Sequence, residues 1–225
     1  MKEHFLQFLS NRKYEVLLTA LIAHLYIGIV LQDLEFYTNV IWPLNMIVIG
    51  VASSGVFIEK GRWKNMIKNI MFITVLLLPI GHPFLGHFSH YMTILSLIYC
   101  LYFVFILVEI IKFLIRPGYI NFDIISASAC GYFLLIEIGV FLMQAIFYHS
   151  PDAFSNIKDT QPANIYIDLV YFCSIIITSI GFGDITPNSH YTKLIVSLFG
   201  VIGQFYSVVL IGILISKFTS EQKKS

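Results

Sequence analysis

Long apolar stretches separated by short polar connections recur six times along the chain, over residues 14–31, 40–58, 67–85, 91–114, 124–148 and 192–218. A helix needs about 20 residues to cross ~30 Å of hydrocarbon. The pattern therefore predicts an all-α membrane protein with six transmembrane helices, the third interrupted near its outer end by Pro79, Gly81 and Pro83. Between the fifth and sixth stretches the pattern changes. Residues 149–170 are too polar to cross, and the apolar run 169–177 is too short. This predicts a re-entrant hairpin, a short helix descending to Ile177 and an extended strand returning to Asp184. Irregular backbone at membrane depth is tolerated only where protein or water lines it, so the hairpin calls for partner subunits.

Charge orients this arrangement. Short loops rich in Lys and Arg stay cytoplasmic. Lys2, Arg12 and Lys13 precede the first stretch, and Lys60, Arg62, Lys64 and Lys68 follow the second. Lys112 and Arg116 close the fourth stretch, and Lys217, Lys223 and Lys224 close the sixth. All share one side, leaving Lys158 and Lys193 on the other with Asp33, Glu35, Asp152, Asp159, Asp168 and Asp184. Both termini are thus expected in the cytoplasm, with the protein in the cell membrane among lipids. Trp63, Trp42, Tyr37, Tyr148 and Tyr191 fall where interfacial anchors belong. With 57% apolar and 12% charged residues and a mean hydropathy of +0.80, a soluble domain is excluded. A net charge of +1 offers no nucleic-acid footprint. Cys100, Cys130 and Cys173 sit in membrane segments without metal-ligand spacing and read as small buried apolar residues. The apolar stretch after Lys13 is too long for a cleaved signal. No catalytic constellation or cofactor motif occurs.

The hairpin ends in Thr178-Ser179-Ile180-Gly181-Phe182-Gly183-Asp184. Alternating glycines reach conformations closed to other residues, so successive carbonyls can turn one way and replace the water around a dehydrated cation. At these residues the chain resembles the tetrameric potassium channels, whose filter reads T-V-G-Y-G-D, with Ser179, Ile180 and Phe182 standing for the threonine, valine and tyrosine. The resemblance spans roughly residues 124–218. It implies a homotetrameric pore passing potassium, bound by the carbonyls of Ser179, Ile180, Gly181 and Phe182 and by the Ser179 hydroxyl. It also implies that Tyr171 and Phe172 support the filter from behind, Tyr171 donating to Asp184. Gly203 takes the position of the family's bending glycine, with Gly212 as a second swivel. By the same resemblance Gln204, Ser207, Ile211 and Ile215 are expected to face the cavity, the two isoleucines forming an inner gate. The family uses one pore loop per subunit, dividing this chain into a four-helix domain, 1–116, and a pore domain, 117–225.

Voltage-gated relatives carry arginines at every third position of the fourth helix. Here only Glu109, Lys112 and Arg116 appear, near its inner end, explained by snorkelling or an i,i+3 pair. Strong voltage gating is not expected, and the connection from Arg116 to Asp123 is too short and broken for a long linker helix, so coupling must be more direct. From the short stretches outside the first and last spans no regulatory domain is expected. Glu137, an acid in mid-span, has two readings: a neutral acid bonded to the back of the pore helix or another span, or a proton-sensitive gating element. His24 poses the same choice. His82, His87, His90, His149 and His190 lie near the outer face, His190 closest to the filter. The competing readings are a nonselective cation channel, for which the family usually alters the G-F-G-D half, and a non-conducting modulatory subunit.

Overall fold

Helix follows helix through the computed structural model, which describes residues 12–30, 33–57, 61–85, 90–115, 122–157 and 161–222. Helix α1 is Lys13–Tyr26, followed by a 3₁₀ turn at Ile27–Ile29. Helix α2 is Trp42–Phe57, entered through one helical turn at Leu34–Phe36 and a π turn at Tyr37–Ile41. The π turn has a local cause: Pro43 lacks an N–H, and its ring crowds the carbonyl four residues back. Helices α3, Arg62–Leu85, α4, Tyr91–Leu114, and α5, Phe122–His149, come next. The shorter α6 is Pro162–Ile177 and the long α7 is His190–Gln222. Extended pairing among the described residues is confined to an antiparallel bridge, β1 (Phe154–Ser155) with β2 (Thr186–Pro187).

This is an all-α membrane fold. Four stretches among the described residues are long and apolar enough to cross a bilayer: Tyr37–Phe57, Tyr91–Leu114, Phe122–His149 and His190–Gly212. The elements differ from the hydropathy pattern at their ends. Helix α1 gives way to 3₁₀ at Ile27, the second element begins at Leu34 instead of residue 40, and α6 starts at Pro162, a full turn and more before the apolar run. Proline at the first turn of a helix costs no hydrogen bond, so α6 extends into polar sequence that hydropathy alone discards.

The core lies where α1, α2, α4, α5 and α6 meet, and it is aromatic. Tyr99 and Phe103 of α4 stand 4.8 and 5.6 Å from Phe141 of α5, and Trp42 stands 5.7 Å from Tyr166 of α6. Trp42 and Tyr37 are therefore core residues and not interfacial anchors, whereas Trp63 and Tyr191 are exposed. Cys130 and Cys173 are buried and Cys100 half-buried, all three as free thiols. Glu109 accepts from Lys112 at 3.1 Å, as the i,i+3 spacing predicts, and also from Lys64 of α3 at 2.8 Å.

Helix α7 leans on α5 through glycines. A methyl at Gly139 would come within 2.1 Å of the Phe199 ring, and one at Gly131 within 2.0 Å of the Tyr206 hydroxyl, which donates to the Ser128 carbonyl. The opposite face of α7 exposes Leu194, Leu198, Val201, Phe205 and Val208 at helical spacing. Alanine is the better helix former by about 1 kcal/mol, yet Gly139→Ala is expected to lower stability by about 1–3 kcal/mol through overpacking against Phe199. Thermal unfolding in detergent checks this, and an unchanged or raised midpoint contradicts the packing.

Candidate functional site

Helix α6 ends abruptly. Ser179 N–H donates to the Ile176 carbonyl at 3.0 Å and Ile180 N–H to the Ile175 carbonyl at 2.9 Å, the paired bonds of a Schellman stop. That stop places a residue in the left-handed region, usually glycine. Here it is Ser179, with φ 59°, at a cost of roughly 1–2 kcal/mol. Gln204 of α7 donates its amide to the Ser179 hydroxyl, and this bond from the facing helix holds the serine in place.

From there the backbone alternates. φ is positive at Ser179, Gly181 (53°) and Gly183 (80°) and negative at Ile180 and Phe182. In a β-strand successive carbonyls point to opposite sides, and alternating left- and right-handed residues undo that reversal, turning them the same way. The segment is accordingly not a paired strand, which is where it departs from the extended strand expected of the sequence. Residues 178–184 are all exposed, Ile180 and Phe182 at 56% and 70%. No atom lies within 4 Å of a Cβ built on Gly181 or Gly183.

The outer end is fastened by polar side chains. Tyr171 donates to Asp184 Oδ2 at 2.6 Å, and Asn156 donates to the Asp184 carbonyl at 2.5 Å. Asn156 itself has φ 70°, which asparagine tolerates. Asn188 donates to the Ala153 and Asp152 carbonyls at 2.9 and 3.1 Å, tying the segment after Asp184 to the loop after α5. Phe172 turns away from this end, buried edge-on against Phe154 at 5.7 Å. The Tyr171 hydrogen bond holds the Asp184 carboxyl below its usual range and raises the tyrosine above its own.

At the inner end Gly203 has a packing reason of its own: a methyl there would stand 2.6 Å from Ile177 Cγ1 and 3.3 Å from Ile177 Cα. Helix α7 runs unbroken past it. Gly200 sits beside Ile176, and Gly212 has open space. Ser207 bonds back to the Gly203 carbonyl at 3.0 Å, and Ile211 is exposed. The side chains of Ile215 and His82 lie outside the described residues, as do His87 and residues 116–121.

Glu137 is fully buried and bonded to His24 Nδ1 at 2.7 Å. His190 begins α7, exposed, and the His90 and His149 rings stand 6.3 Å apart. Asn156, Asn188 and the His24 partnership escape sequence reasoning. Asn156 lies 28 positions from the residue it serves, and only its taste for left-handed turns marks it.

Residues 135–220 match the family described as ion channel. Over 79 residues the chain is 35% identical to Two-pore potassium channel 2 of Arabidopsis thaliana, covering 35% of this chain and 17% of that protein. The match thus spans under a fifth of the curated relative. No solved structure matches. Over this region the chain is similar to ion channels, a potassium channel among them.

Replacing Tyr171 by Phe removes the bond that holds the Asp184 carboxyl below its usual range. A depressed carboxyl contributes while charged, above its unfolded value near 4, and loses that contribution as pH falls through its folded value. Tyr171→Phe is therefore expected to let acid neutralise Asp184 at higher pH. Carboxyl NMR titration checks this, and an unmoved titration contradicts it.

Proposed function

We propose that the chain is the pore-forming subunit of a potassium-selective channel, in which four copies surround one axis and each contributes Thr178–Asp184 as its filter. The observation that carries this reading is the alternation of positive φ at 179, 181 and 183 along an exposed segment. The carbonyls of Ser179, Ile180, Gly181 and Phe182, with the Ser179 hydroxyl, replace potassium's hydration shell. The intact Gly181-Phe182-Gly183-Asp184 half favours selectivity over a nonselective pore. One such segment in this chain needs identical neighbours to close a ring, and closed rotational symmetry supplies them. The exposed apolar stripe of α7 then has protein or lipid to cover it.

Ion movement in this reading is passive. The C-terminal end of α6 directs its partial negative charge toward the axis, easing a cation's passage through mid-membrane. Below the filter, Gln204 and Ser207 wet the cavity, and rings of Ile211 and Ile215 close it by dewetting. With Gly203 pressed against Ile177, bending at Gly203 requires α7 to part from α6, whereas Gly212 is free to swivel. Four helices, 1–116, flank the pore domain, 117–225, without gating arginines, so voltage acts weakly. The basic residues place both termini in the cytoplasm. Of the two candidates for proton sensing, His190 is exposed and Glu137 is fully buried.

The purified protein in planar bilayers under asymmetric potassium and sodium is expected to reverse near the potassium equilibrium potential and to be blocked by barium. Reversal near zero would make it a nonselective channel, and absence of current a silent subunit.

A further inference from the structure

One polar cluster takes no part in the ion path. His24 of α1 and Glu137 of α5 expose no surface, and the Tyr166 hydroxyl of α6 lies 3.0 Å from the same His24 Nδ1 that meets Glu137. Three helices therefore converge on one nitrogen. Phe103 and Phe141 flank the imidazole, each at 6.4 Å, and Trp42 lies against Tyr166. The other titratable groups within electrostatic reach of Glu137 are Tyr37, before α2, and Cys173 of α6. Among the described residues no lysine or arginine pairs with it. Buried polar groups in apolar surroundings stay bonded because losing a partner strands them, so α6 cannot slide along α1 without breaking the cluster.

A second bond from the same part of the chain reaches closer to the filter. The Tyr26 hydroxyl, at the end of α1, lies 3.2 Å from Ser174 Oγ, two turns along α6 from Tyr166. The Ser174 carbonyl in turn accepts from both the N–H and the hydroxyl of Thr178, at 3.1 and 2.8 Å, the residue at which the filter begins. Just beyond, Gly28 lies along Ile167 of α6. Two polar bonds two turns apart on one helix fix both its height and its rotation, which a single contact cannot do.

We propose that His24, Glu137 and Tyr26 are positioning residues for ion conduction: they set α6, and through it the carbonyls of residues 179–182, from the first helix. The first helix then acts on the filter directly and not through the inner gate. This rests on the channel reading. Glu137 is a brace in this account, with His24 its partner and Tyr166 the point at which the brace meets the pore helix.

The test is single-channel recording in planar bilayers together with thermal unfolding of the same protein in potassium and in sodium. Tyr166→Phe and Tyr26→Phe each remove one hydroxyl, Glu137→Leu removes the acid, and Glu137→Gln keeps a hydrogen-bonding partner for His24. The first three are expected to shorten open bursts about fivefold, the change that one net hydrogen bond makes to a two-state equilibrium. They should also shrink the extra stability that potassium gives over sodium. Glu137→Gln should restore most of both, and His24→Leu with Glu137→Leu should cost no more than the worse single change. Should Glu137→Leu fail to fold, the two tyrosine variants carry the test. Wild-type bursts in the variants, with unfolding temperatures lowered equally in both ions, would make the cluster merely structural and overturn the proposal. A wild-type protein showing neither potassium current nor potassium-specific stability would overturn the channel reading itself, and this proposal with it.

Discussion

Peptide groups that leave a helix within hydrocarbon must find partners, and in the proposed pore residues 178–184 leave theirs without continuing in any ladder. The cost of stranding such groups in lipid, several kcal/mol each, constrains everything around them. Within the chain the inner end of the segment is bonded to the last turn of α6 through the N–H groups of Ser179, Ile180 and Gly181, and at the outer end the Asp184 carbonyl accepts from Asn156. Nothing lies within 4 Å of a Cβ built on Gly181 or Gly183. In the proposed pore a cation and neighbouring copies are the partners that answer this, met by carbonyls that the alternation of positive φ at 179, 181 and 183 turns one way.

The remaining elements hold that segment still. Helix α6 presses its end on Gly203 of α7, and α7 in turn rests on Gly131 and Gly139 of α5. On the outer side the β1–β2 bridge and Asn188 fasten the returning chain. Behind α6, a wall of aromatic rings encloses the His24–Glu137 pair. Acidic residues inside a membrane face protein and find partners there, and this one finds its partner on the first helix. Helix α1 is therefore hydrogen-bonded to α6 within the same chain and not merely tethered to it.

Much of this was legible in the sequence, for reasons that can be traced. The long apolar helices follow from residue composition because hydrocarbon admits little else. The Tyr171–Asp184 bond was expected from the resemblance to the potassium-channel family, whose paired aromatics Tyr171 and Phe172 match. The Glu109–Lys112 pair was expected because helical spacing brings i and i+3 together. The start of α6 at Pro162 was hidden by its polar first turns. Trp42 and Tyr37 carried the mark of interfacial anchors, but α2 turns them into the bundle, and one-dimensional hydropathy does not say which way a helix faces. His24 and Glu137 were each conspicuous alone; that they meet depends on α1 packing against α5, 113 residues apart, and no local pattern encodes it. Gly203 was read as a bend, and its crowding by Ile177 emerges only in three dimensions.

The most direct measurement is the structure of the assembled protein in lipid nanodiscs by electron cryomicroscopy, once in potassium and once in sodium. The account predicts four copies around one axis, with residues 179–183 facing it and ion density between their carbonyls that changes with the cation. Any other symmetry, or a segment turned toward lipid with no density on the axis, would contradict it.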